Sequence, residues 1–295
     1  MEENDSPDPA PRAPAVTGAD AGESRRESWY VEQAPPAPLA DCVLSLWETR
    51  IPWSLGPTRV RILPNACVDI VLYGSETSRG EGAAAIVAPP HRSYVVGSTL
   101  RSFIVQSVGW RHVIGASLRP EGVQPLLRVP AGVIGGSVAL LHDVIGADAR
   151  RMEDRVLGGP ADGALRRLAD VLAERRGSSP PPDATAHRAV QRVRRAHGRE
   201  RIDALVADLN ISPRRLERHF LTHVGMSPKL FSRLVRFDRA VRDLAARGAT
   251  PWTQFALAHG YSDQAHLINE FREFAGVTPA ELERESGSSP GDDVR

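Results

Sequence analysis

Two stretches of the chain decide its fold: LVADLNISPRRLERHFLTHVGMSPKLF at 205–231 and FALAHGYSDQAHLINEFREFAGVTPAEL at 255–282. They read as two copies of one unit. Phe220, Gly225, Ser227 and Pro228 stand 51 residues before Phe271, Gly276, Thr278 and Pro279. Upstream the offset is 50, from Asn210 to Gly260 and from Ser212 to Ser262. Each copy spells the same local physics. A short helix ends at Asn210 or Gly260, residue types that accept the left-handed backbone of a helix exit. Ser212 or Ser262 is then expected to cap a second helix, with Pro213 suited to its first position. Such a tight turn between two helices is a helix-turn-helix. Leu216 with Phe220, and Leu267 with Phe271, are spaced four apart and turn inward. Thr278 and Glu281 form a capping box for the helix that follows.

A helix expected from about Pro228 to Ala246 joins the copies. Its apolar stripe is Leu230, Leu234, Phe237, Val241 and Leu244. At about 1.5 Å per residue it is a rod of roughly 25 Å or a little more. Such a rod can set two second helices about 34 Å apart, one turn of B-DNA, so that they enter successive major grooves.

On these residues the stretch 187–285 resembles the C-terminal domain of AraC/XylS-type transcription regulators. The resemblance rests on SPRRLERHF…VGMSP, on LVRFDRAV at 234–241 and on the second copy's Gly-Tyr-Ser-Asp turn and FREFAGVTP ending. It implies a double helix-turn-helix that binds double-stranded DNA. This chain departs from the family at Val206, where Ala is common, and at Asn269, where a basic residue is frequent.

Helical periodicity turns Arg214, Glu217 and Arg218 of the first copy away from the core, and Gln264, Ala265, Ile268 and Asn269 of the second. These types suit reading of base edges: Arg pairs with guanine, Asn or Gln with adenine, Glu accepts from cytosine, and Ala or Ile meets a thymine methyl. Arg215, Arg233, Arg236, Arg239 and Arg272 are expected to position phosphates. His219 and His266 read as packing or surface residues. Charge fits this division: between His187 and Glu285 there are 17 Arg and Lys against 12 Asp and Glu, in a chain whose formal net charge is only +1. Basic residues gathered on an otherwise acidic chain are the usual footprint of a phosphate-binding module.

The rest of the 295 residues leaves room for a second domain. Residues 1–28, rich in Pro, Ala, Asp and Glu, read as a disordered tail, and 286–295 as another. From 29 to 118 short β-branched runs alternate with Pro, Gly and Ser: VRIL (60–63), CVDIVLY (67–73), AAIVA (84–88), SFIVQSV (102–108) and HVIGASL (112–118). Strands at this spacing suggest a barrel or sandwich. The pattern turns helical from Arg119-Pro120 to Arg176, and GSSPPPDATA (177–186) reads as a linker. The fold class is thus α+β, a strand-rich 29–176 followed by an all-α 187–285. YVEQAPPAPLADCVLSLWET, ILPNACVDIVLYG, GASLRPEGVQPLL and VALLHDVIG resemble, more loosely, an N-terminal domain carried by a subset of the same regulators. That resemblance implies a cupin-like barrel with helices, serving as an effector or dimerisation module for an unidentified small molecule.

Enzyme readings find little support. Cys67, Asp69, His91 and His112 match no ligand spacing, so no metal and no cofactor are expected. Cys67 reads as core, and Asp69 as a hydrogen-bonded strand residue. Cys42 and Cys67 form no CxxC pair and read as reduced thiols. A repair alkyl transferase would need a zinc-bound cysteine cluster, and no acid/base constellation is recognisable, so no catalytic residue is assigned. A cupin-type enzyme with a DNA-binding appendage stands as the alternative. No stretch has the apolar length of a membrane span, and the acidic start MEENDSPDPAPRAP lacks the regions of a signal peptide. A cytoplasmic regulator is expected, with DNA, a small-molecule effector, RNA polymerase and a second copy of the chain as candidate partners.

Overall fold

The computed structural model describes residues 29–50, 58–74, 92–107, 112–244 and 246–287. The strand expected at 84–88, His91 and both expected tails, save 286 and 287, lie outside these residues. The N-terminal part contains β1 (Trp29–Gln33), β2 (Val43–Arg50), β3 (Thr58–Ile62), β4 (Val68–Gly74), β5 (Ser93–Val96), β6 (Phe103–Ser107), β7 (His112–Leu118) and β8 (Val138–Leu140). Six of them form one antiparallel sheet in the order β1-β2-β7-β4-β5-β8, and β3 pairs with β6 in a separate ribbon. The sheet is open among the described residues, since β1 and β8 pair with no common neighbour.

β7 is the middle of this sheet and is buried along its whole length. Period-two alternation sends Ile114, Ala116 and Leu118 to one face and Val113 and Ser117 to the other. The first face packs, with Leu46, Ile70 and Leu72, against the helices α1 (Val123–Leu127), α2 (Ala131–Ile134), α3 (Leu141–Ile145), α4 (Ala147–Leu157) and α5 (Ala164–Gly177). Leu126, Met152, Leu168 and Leu172 supply the helical side of that core. The second face carries Trp47, Val71 and Val113. Gly115 lies under Trp47: a Cβ there would stand 2.2 Å from the indole ring, so no larger residue lets the ring lie flat on the sheet.

The C-terminal part is all-α: α6 (Ala184–Arg195), α7 (Ile202–Leu209), α8 (Pro213–His223), α9 (Pro228–Leu244), α10 (Trp252–Ala258), α11 (Gln264–Ala275) and α12 (Pro279–Gly287). The proline-rich linker is shorter than its composition suggests, because α5 runs to Gly177 and α6 already starts at Ala184, where Asp183 Oδ1 accepts the Ala186 N–H at 2.8 Å.

The two parts are stitched along a seam. Arg194 of α6 is buried, donates to the Ala66 carbonyl at 3.1 Å and stands over the Phe231 ring. Leu63 and Ala66, which follow β3, belong to the helical core. Arg61 on the ribbon donates to both carboxylate oxygens of Glu285 and to the Ala275 carbonyl at the end of α11. Gly225, at φ +82°, lets the α8–α9 turn approach the backbone of α2, for a Cβ there would stand 3.0 Å from the Ala131 carbonyl.

His187 of α6 places Nδ1 3.3 Å from the carboxylate of Glu121, whose side chain is fully buried. The neighbouring carboxylate, opposed by partial burial of the ring, holds the imidazole pKa above its ordinary 6.5. A folded-state value raised above the unfolded one gives stability that is fully present below about pH 6.5 and is lost as pH climbs through the raised value. The seam should therefore loosen as pH rises from 6 to 8. Thermal midpoints of the full chain across that range should fall less steeply for His187→Gln than for the parent, and identical slopes would refute the pairing.

Candidate DNA interface

The first helix-turn-helix is α7 and α8. α7 ends at Asn210 in the left-handed region (φ 51°, ψ 48°), and Ser212 caps α8 by accepting the Arg215 N–H at 3.3 Å. Pro213 occupies the first helical position. The second unit is α10 and α11, whose turn passes Gly260 at φ 79°. Its cap is not Ser262 as expected but Asp263, whose Oδ1 accepts the His266 N–H at 2.7 Å. The reason lies in the change of offset from 50 to 51. The second turn is one residue longer, and the extra length brings in Tyr261, which is buried against the core while Ser262 stays outside and donates to Asp263. Thr278 and Glu281 form the expected box, the Thr278 N–H donating to Glu281 Oε2 at 2.7 Å and the Glu281 N–H to Thr278 Oγ1 at 3.3 Å.

Both second helices anchor the same way. Leu216, Phe220, Leu267 and Phe271 have no exposed surface. Phe220 meets Phe231 edge-on, and Phe237 contacts Phe271 and Phe274 with ring centroids 4.9 and 5.2 Å apart. α9 therefore inserts an aromatic residue into each unit: Phe231 into the first and Phe237 into the second.

With those anchors fixed, Arg214, Arg215, Glu217 and Arg218 of α8 lie exposed. On α11, Ala265, Asn269 and Arg272 are exposed, and Gln264 and Ile268 are half-buried. Gln264 Oε1 accepts from the Thr253 hydroxyl at 3.4 Å, which orients its amide.

The rod arginines depart from the expectation of free phosphate-facing groups. Glu270 of α11 is 1% exposed and accepts from Arg233 Nε at 2.9 Å and Arg236 Nη2 at 2.8 Å. Arg233 also pairs with Glu273 and lies over Phe274, and Arg236 lies over Tyr261. Arg239 stands 3.5 Å from Asp243, to which His259 Nε2 comes within 3.0 Å. Burial, together with the Glu270 carboxylate, pushes the Tyr261 phenol well above its ordinary range. Of the five proposed phosphate contacts, Arg215 and Arg272 keep exposed side chains on the second helices. Arg233 and Arg236 share one face of α9, and the sequence reading took both as phosphate contacts. Helical periodicity cannot reveal that this face adjoins α11, because Glu270 is 34 residues beyond Arg236 along the chain.

Two cations were missed by sequence reading. A cleft of about 740 Å³ between the α6–α7 turn, α9 and α11 is lined by Arg199, Lys229, Arg233, Arg236, His266 and Asn269, among others. Lys229 is exposed at the start of α9, and its signal was its position directly after Pro228.

In the N-terminal part Cys67, Asp69 and His112 each have a separate partner. Cys67 is buried beside Arg194, and burial pushes its thiol up to about 12. Asp69 accepts from Ser117 Oγ at 2.5 Å, and burial raises its carboxyl to about 6. His112 Nε2 stands 2.5 Å from Glu48 Oε1. Beside His112 lies a cavity of about 110 Å³ lined by Arg92, Ile114, Val156 and Arg167. That is smaller than the roughly 300–1,000 Å³ of sites for drug-sized ligands.

Two family descriptions match. Residues 205–285 match "Helix-turn-helix domain", and residues 31–139 match "Domain of unknown function (DUF6597)". The HTH-type transcriptional regulator GlxA of Rhizobium meliloti (strain 1021) is 29% identical over 200 residues, covering 62% of this chain. The chain spans 59% of the length of that relative. Among solved structures, ToxT from Vibrio cholerae O395 aligns over 88% of this chain and 97% of its own at 9% identity and a TM-score of 0.39. Unsaturated fatty acid bound wild-type ToxT from Vibrio cholerae strain SCE256 aligns over the same shares at 9% and 0.42.

Glu270→Ala should destabilise the C-terminal helices by about 3–5 kcal/mol, since it strands two guanidinium groups over one buried gap. Phe237→Ala should cost a similar amount, about 3–5 kcal/mol, through the cavity it leaves between two rings. Urea unfolding of the full chain followed by far-ultraviolet circular dichroism measures both, and midpoints equal to the parent's would contradict the packing described. With two units of one design on a common rod, residues 205–285 form a double helix-turn-helix, in agreement with the helix-turn-helix family description that matches them.

Proposed function

We propose that this chain is a sequence-specific DNA-binding transcription regulator that reads two successive major grooves with α8 and α11. One observation carries the reading. Two helices, each preceded by a capped turn and each anchored by a fully buried Leu and Phe pair, expose chemically selective side chains on the opposite face. Arg214, Glu217 and Arg218 read bases in the first groove, and Gln264, Ala265, Ile268 and Asn269 in the second. Arg215 and Arg272 hold phosphates, and Lys229 is added to them. α9, 17 residues long, gives about 25 Å of separation before side chains extend the reach. In this reading residues 29–176 receive a small-molecule effector and support dimerisation, and 187–285 bind DNA. RNA polymerase is the downstream partner.

Regulation without catalysis is part of the proposal. No helix among those residues is long and apolar enough to cross a membrane. A cytoplasmic setting is part of the proposal.

Selection of bound fragments from genomic DNA with the full-length protein supplies the operator. On it, Arg214→Ala and Arg218→Ala should each lose about 1–3 kcal/mol and relax discrimination at one position. Arg215→Ala should weaken selected and random duplexes alike and reduce the salt slope by about one. If Arg214→Ala lost equally on both kinds of duplex, its role in base reading would be refuted.

A further inference from the structure

His219 and His223 lie one turn apart on α8, rings stacked with centroids 5.9 Å apart and 25° between their planes. Both face Asp183, the residue that ends the α5–α6 connection and caps α6. His219 Nδ1 is 3.2 Å from Asp183 Oδ1, and His223 Nε2 is 4.0 Å from Oδ2. His219 Nδ1 is buried and makes no aligned hydrogen bond despite that distance. A buried imidazole nitrogen with no hydrogen-bond partner, beside a carboxylate and a second imidazole, is available as a ligand to a cation. We propose that His219 Nδ1, His223 Nε2 and an Asp183 oxygen form a binding site for one divalent transition-metal cation of the zinc, cobalt or nickel class, with water completing its coordination.

The distances suit such an ion. Metal–nitrogen and metal–oxygen bonds of about 2.0–2.2 Å in a tetrahedron put ligand atoms roughly 3.3–3.5 Å apart. Here one pair stands at 3.2 Å, and all three ligand atoms lie within 4.8 Å of one another, so a small rotation of His223 closes the set. Two imidazoles with one carboxylate select borderline cations over magnesium or calcium, which take oxygen ligands. The side chains keep 16%, 22% and 30% of their surface, which leaves a path for the ion and room for water. Asp183 can serve both roles, because Oδ1 holds the Ala186 N–H while Oδ2 has no such duty.

The site joins the connection between the two parts of the chain to the first DNA-facing helix. Metal on Nδ1 places the proton of the neutral imidazole on Nε2, which stands 3.5 Å from Arg215 Nε as its acceptor. That hydrogen bond must then break, and the guanidinium turns to solvent. This consequence for Arg215 rests on the DNA-binding reading, whereas the metal site does not.

The test is titration of chelator-treated full-length protein with Co²⁺ in the absence of DNA, followed by visible absorption and calorimetry. One equivalent should bind with a visible d–d band, Zn²⁺ should displace it, and the thermal midpoint should rise with metal. Asp183→Asn, which preserves the helix cap, and His223→Gln should each weaken binding by at least roughly tenfold. Their circular dichroism and their thermal midpoints in chelator should match the parent. Absence of a saturable Co²⁺ signal, or binding by both variants as tight as the parent's, would overturn the site and leave the trio a plain ion pair. Loss of DNA binding would overturn only the function proposed above, since no DNA is present in this titration.

Discussion

Glu270 is the point on which the C-terminal domain turns. A carboxylate with 1% of its side chain exposed cannot remain charged unless cations meet it, and Arg233 and Arg236 do so from successive turns of the same face of α9. The pair fixes the rotation of the rod about its own axis, because only one orientation brings both guanidinium groups to one carboxylate. The same rotation seats Phe237 between Phe271 and Phe274 and Phe231 against Phe220. Once the rod is locked, neither DNA-facing helix is free to roll. What holds Arg214 and Asn269 outward is thus a buried ionic contact, backed by apolar packing.

How much of this was legible in the sequence depends on the range of each signal. The caps, the left-handed exits and the four-residue Leu and Phe spacings are local. They suffice to place both units, α9 and the Thr278–Glu281 box. The one local error, Ser262 for Asp263, came from carrying the first copy's register into a turn one residue longer. The mismatch between the 50- and 51-residue offsets already held the correction. β7 was legible to the residue, since HVIGASL is a run buried on both faces. The roles of Arg233 and Arg236 were not legible, because an arginine on a helix face looks the same whether its partner is a phosphate or a carboxylate brought from another helix.

The junction between the two parts illustrates a different limit. Composition identified GSSPPPDATA as a linker, and prolines do interrupt the helices there. Composition says nothing about what the segment touches. Asp183 meets α8, Arg194 passes under the loop before β4, and Arg61 reaches Glu285. A seam with this many charged contacts across it makes the position of α8 depend on the N-terminal part. In the proposed reading an effector bound to the sheet acts on α8 with no segment between them needing to unfold.

Counting charges overstates how strongly such a domain attracts DNA. The excess of basic over acidic residues between His187 and Glu285 is the net balance of many pairs. Arg192 is taken up by Glu200 and Asp208, Arg201 by Asp203, Arg233 and Arg236 by Glu270, and Arg247 by Glu283. An arginine already paired releases no counterion from a phosphate unless it first gives up its carboxylate, so it adds little to salt-dependent affinity. Of the two second helices, α8 carries more of the exposed cations, with Arg214, Arg215 and Arg218 standing together. α11 offers Arg272 alone beside Gln264, Ala265, Ile268 and Asn269. In the proposed reading the first unit joins electrostatic attraction to base reading by Arg214, Glu217 and Arg218, whereas the second discriminates by hydrogen bonds and methyl contacts, so one repeated design reads the two grooves by unequal physics.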